Sequence, residues 1–114
     1  MDFTGCTEFL IYGWAVCTNT FNITSSVGYL VSSALRNGNN FISALYEDIG
    51  VGVSGFMCKH CIYKAGGTAI TDDTFNTVGN GIDHKDKKIS NITWIAISAG
   101  AGGVTSAELK IYAR

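Results

Sequence analysis

The chain has 114 residues, of which 46% are hydrophobic and 15% charged, and its formal net charge is −1. That length and apolar content fit a single folded domain over residues 1–114, with no room for a second core and too little polarity for a disordered tail. Near-neutrality argues against nucleic acid or an anionic membrane as partner, because Lys85, Lys87 and Lys88 are offset by nearby Asp83 and Asp86.

Fourteen glycines, no proline and abundant Thr, Ser, Val and Ile favour short strands joined by Gly/Asn turns. Residues 9–16 form the first predicted strand, apolar at odd positions (Phe9, Ile11, Ala15) and at even ones (Leu10, Tyr12, Trp14, Val16). Residues 21–23 continue the sheet after a turn at Thr18-Asn19-Thr20. Residues 27–35 are read as a strand, although Val27, Leu30, Val31, Ala34 and Leu35 also fit a helical period. Arg36-Asn37-Gly38-Asn39-Asn40 is a turn signal, and strands over 41–49 and 56–63 follow on either side of a glycine-containing turn. The polar stretch 68–88 carries one strand candidate, at 74–78, and is long enough to present a binding surface. The last strands are predicted at 89–98 and 107–112. Strands at this spacing predict an all-β antiparallel sandwich of six or seven strands.

Two of these strands depart from the alternation of a half-buried strand. In the later one Ile92, Trp94 and Ala96 fall on one face, with Ile95 and Ile97 on the other; residues 9–16 are likewise apolar on both faces. So small a chain cannot cover both faces of both strands, which predicts a homo-oligomer.

Trp94-Ile95-Ala96-Ile97 resembles the closing Trp-Ile-Ala-Ile-Gly strand of bacteriophage tail-fibre C-terminal domains and the similar H-type lectins. Phe9-Leu10-Ile11-Tyr12-Gly13-Trp14 resembles their opening strand, and Val51-Gly52-Val53-Ser54-Gly55-Phe56 a shortened form of the turn that follows. The chain departs from that pattern in lacking proline, in having Ser98 where the motif ends in glycine, and in continuing through 99–114. The resemblance implies an H-type lectin-like sandwich assembled as a homotrimer at a fibre tip, binding a cell-surface glycan or other host receptor. It supplies no site residues.

The residues themselves offer few chemical groups. Cys58-Lys59-His60-Cys61 has redox-pair or zinc spacing, with Cys6, Cys17 and His84 as further donors. On a strand, however, positions three apart face opposite ways, so the four cysteines are read as structural thiols. Asp72-Asp73 is too short a run of oxygen donors for calcium. No nucleophile elbow, phosphate loop or His-Glu-x-x-His is present, so neither a catalytic residue nor a cofactor is assigned. Trp14 and Trp94 are read as core or interface residues. The ligand-binding candidates are Arg36, Asn37 and Asn39 in one polar turn, Asp83 and His84 in another, and Tyr46 as a surface aromatic.

No apolar run reaches the ~20 residues that cross a bilayer. Asp2 and Glu8 stand where a signal peptide would be basic. The chain is therefore expected to be made in a cytoplasm without a signal peptide, or to be the end of a longer protein; the resemblance implies a place at a virion or extracellular fibre tip. The alternatives are a ligand-free trimerisation cap and a small Cys-based metal-binding module.

Overall fold

The computed structural model describes residues 1–18, 20–35, 38–65, 81–99 and 103–114, and these are organised entirely around β-strands. The strands are β1 (Glu8–Cys17), β2 (Thr20–Ser25), β3 (Gly28–Leu35), β4 (Gly38–Gly50), β5 (Val53–Ala65), β6 (Ile95–Ala99) and β7 (Val104–Ala113). They form a four-stranded sheet, β5-β4-β1-β7, and a three-stranded sheet, β3-β2-β6. All pairings are antiparallel. Residues 27–35, ambiguous in sequence, are strand from Gly28 onward. The strand predicted at 74–78 lies outside the described residues.

The core lies on the inner face of the larger sheet, and the period-two side-chain pattern explains how. Phe9, Ile11, Ala15 and Cys17 of β1 are buried, as are Ile42, Ala44 and Tyr46 of β4. Ile23, Leu30 and Val31 come from the smaller sheet. At one end sits an aromatic cluster. Phe9 stacks on Phe3 at 5.6 Å and on Tyr46 at 4.7 Å, and Phe56 meets Phe9 and Tyr46 edge-on at 6.1 and 6.0 Å. Each such pair adds about 0.5–1.5 kcal/mol beyond its buried area.

The predicted strand over 89–98 is corrected to two pieces. Ile89–Asn91 is a 3₁₀ turn, and β6 begins only at Ile95. The Lys88 N–H donates to Asn91 Oδ1 at 2.7 Å, and the Asn91 N–H returns to the Lys88 carbonyl at 2.9 Å. Such local amide bonds favour a turn over a ladder. Ile89 and Ile92 are buried by this turn, whereas Trp94 beyond it is exposed. Ile92, Trp94 and Ala96 therefore do not share one strand face.

The short segment 81–84 joins the two sheets. Its Ile82 N–H donates to the Leu30 carbonyl on β3 at 2.8 Å. Its His84 exchanges both backbone bonds with Phe56 on β5, at 2.7 and 2.9 Å. One flank of the molecule is closed in this way, and β6 and β7 end their sheets on the other.

Candidate binding face

Of the predicted site residues, Arg36 and Asn37 lie outside the described residues. Asn39 is half-buried on β4, opposite Val16. Tyr46 requires correction, because it is fully buried rather than a surface aromatic. It belongs to the inward row of β4, and its hydroxyl donates to the Leu30 carbonyl at 2.5 Å. Asp83 and His84 hold the fold's closing segment. Asp83 Oδ1 accepts the Cys58 N–H at 2.7 Å. His84 Nε2 donates to the Tyr29 carbonyl at 2.8 Å, and its ring stacks on Phe56 at 4.8 Å. Both polar groups are thus engaged with backbone and are not presented as a pair to a ligand.

The Cys58/Cys61 geometry also differs from the expectation. Tyr46 pairs with Cys58 and Ala44 with Cys61, so a β-bulge inserts one extra residue between them. That insertion turns both thiols inward, and Cys58 hydrogen-bonds Cys61. A methyl carbon on Gly81 would sit only 2.3 Å from the Cys58 Sγ, so glycine is what lets the closing segment pass over this thiol. Among the described residues no group of three or more His, Cys, Asp or Glu side chains is arranged to hold a metal.

The hydrogen bond to Cys61, then burial, raise the Cys58 thiol pKa above its ordinary 9.0. Burial chiefly raises the Tyr46 phenol above its ordinary 10.0. In the unfolded chain these groups ionise at their ordinary values, while the folded chain retains both protons. Their contribution to stability is therefore complete below pH 9 and falls as the pH rises further. Denaturant titrations at increasing pH are expected to show the midpoint dropping above that value; a midpoint that held or rose would contradict this burial.

Among the described residues, the outer face of the four-stranded sheet carries several large apolar side chains that are exposed. Register sets its side chains in rows across the strands. Leu45, Leu10 and Tyr112 form one row; Ser43, Tyr12 and Lys110 the next; Phe41, Trp14 and Glu108 a third. Tyr12 is 45% exposed, Trp14 39% and Tyr112 58%, and Tyr12 meets Phe41 edge-on at 5.4 Å. At one end the apolar rows meet charges: Glu8 pairs with Arg114, and Glu47 with Lys59 at 2.7 Å. Two hollows open there and share Glu8. One of about 340 Å³ is lined by Leu10, Leu45, Tyr112 and Arg114. The other, of about 460 Å³, is of mixed character and lined by Thr7, Glu47, Asp48, Gly50, Val51 and Lys88.

Compared with known proteins, the chain matches no family model, no curated protein and no solved structure. The binding reading therefore rests on the geometry. The even positions of residues 9–16 had already marked the apolar face in sequence. The second hollow had no such signal, because Thr7, Glu47 and Lys88 come together through the pairing of β1 with β4 and the 3₁₀ turn that follows Lys88.

Proposed function

We propose that this chain is a non-enzymatic recognition domain, the receptor-binding tip of a phage-type fibre, that works as a homo-oligomer. The observation that carries this reading is the apolar outer face of the four-stranded sheet, running into a hollow lined by Glu8, Glu47, Val51 and Lys88. Tyr12, Trp14, Phe41 and Tyr112 form a surface of the kind that packs between subunits, with aromatic centre and charged rim. The resemblance of the Trp94 motif to fibre tips suggests three copies. The hollow beside Glu8, Glu47 and Lys88 offers carboxylate acceptors and an ammonium donor, groups that match the hydroxyls of a cell-surface glycan.

Light scattering is expected to give a multiple of three copies, whose threefold contact is lost on Trp14→Ser with Tyr112→Ser while circular dichroism remains unchanged. Binding to a glycan panel or intact host cells is expected to be lost on Glu47→Ala. Among the described residues Glu47 pairs with half-exposed Lys59, a surface ion pair that contributes little to stability, so its removal leaves the fold in place. A wild-type monomer overturns the assembly, and an absence of binding across panel and cells overturns the recognition role.

A further inference from the structure

We propose that two copies of this chain pair edge to edge through β7, with Leu109 of one opposite Leu109 of the other. The contact uses the edge of the sheet rather than its outer face, and so stands independently of the proposed function. It would produce one continuous sheet of eight strands, four from each copy.

β7 runs from Val104 to Ala113 at the end of its sheet, and among the described residues no strand pairs with its second edge. Glu8 and Arg114 exchange both backbone bonds, at 3.1 and 3.0 Å. Antiparallel ladders alternate, so Tyr112, Lys110, Glu108 and Ser106 turn their N–H and C=O groups toward β1. Ala113, Ile111, Leu109 and Ala107 turn theirs toward the open edge. A second β7 must use those same groups, which restricts the two-fold registers and keeps like faces together.

Charge then selects among them. A two-fold axis at Glu108 sets carboxylate against carboxylate, and one at Lys110 sets ammonium against ammonium. An axis at Leu109 sets each Glu108 opposite the second copy's Lys110, twice over. Within one chain these two side chains already lie 3.6 Å apart on the outer face, half-exposed at 58% and 56%. The same register places Ala107 against the second copy's Ile111 and brings the half-buried Leu109 residues together at the rim of the core. Cross-strand pairs of this kind are the unit of sheet stabilisation.

The opposing role for Lys110 is that of a guard, a charge that keeps an edge strand single. Sedimentation equilibrium distinguishes the two. The wild type is expected to contain an even number of copies. Glu108→Lys and Lys110→Glu, each alone, are expected to halve the assembly by raising its dissociation constant roughly thirtyfold, as two attractive pairs become repulsive. Mixing those two variants restores the full mass, because every Lys again meets a Glu; the double exchange E108K/K110E does the same. Ala107→Pro removes an N–H that β1 does not use, so it halves the mass with the fold intact. An odd number of copies, a mass indifferent to charge reversal, or single variants that fail to rejoin on mixing would overturn the pairing. Loss of copies in the Trp14→Ser, Tyr112→Ser variant that preserves this charge-dependent halving separates the edge contact from the outer-face contact.

Discussion

Replacing Gly13 with valine is expected to detach β7 from its sheet. Gly13 sits mid-strand in β1 opposite Leu109, where a methyl carbon would lie 2.0 Å from the Glu108 carbonyl oxygen and 3.0 Å from the Leu109 Cα. The obstructing atoms are backbone, so no rotamer change relieves the clash, and β7 must move or the strands must part. Overpacking of a tight site costs ~1–3 kcal/mol, and more where the obstacle is rigid; a loss of at least ~3 kcal/mol is expected here. That is a large share of the ~5–15 kcal/mol by which domains are stable. Urea unfolding measures it directly. Gly13→Ala should show most of the same loss, because the first carbon makes the clash. An alanine variant as stable as the wild type would mean that β7 does not approach β1 this closely.

Phe9→Ala is expected to cost about 3–5 kcal/mol, the range for emptying a buried aromatic site. Phe9 is fully buried and touches Phe3, Tyr46 and Phe56, so its removal unlocks three rings at once. Phe9→Leu, which refills most of the volume, should recover the larger part of the loss in the same unfolding assay. If alanine and leucine behaved alike, the ring cluster would not be the organising element of the core.

Much of the all-β architecture was legible because it depends on local signals. The glycine-containing turn between the strands predicted at 41–49 and 56–63 falls between β4 and β5, and residues 9–16, apolar on both faces, lie in β1 with Tyr12 and Trp14 exposed on its outer side. Features that depend on one residue's displacement were not legible. The extra residue between Cys58 and Cys61 reverses the facing deduced from simple alternation, and nothing in Cys-Lys-His-Cys announces a bulge. Tyr46 next to Glu47 reads as a strand end, yet β4 continues to Gly50 and keeps the phenol on its inward row. Asp83 and His84 look like solvated loop residues because their partners, the Cys58 N–H and the Tyr29 carbonyl, are distant in sequence. Phe3 carries no sequence signal of its own: it lies outside the strands, and it is buried in the core, where it stacks on Phe9.

The pairing of β1 with β7 also governs the order in which this molecule can be made. The first strand is central, and one of its two neighbours is the last strand; Glu8 and Arg114, 106 positions apart, face each other across that pairing. Contacts of such long sequence separation are formed late and slowly, because chain closure must precede the gain they bring. On the ribosome, β1 therefore emerges early but lacks one neighbour until β7 has left the exit tunnel. Until then its edge stays open beside an apolar surface, the condition under which nascent β-proteins aggregate. The tempo of translation through β7 is therefore part of how the fold is reached.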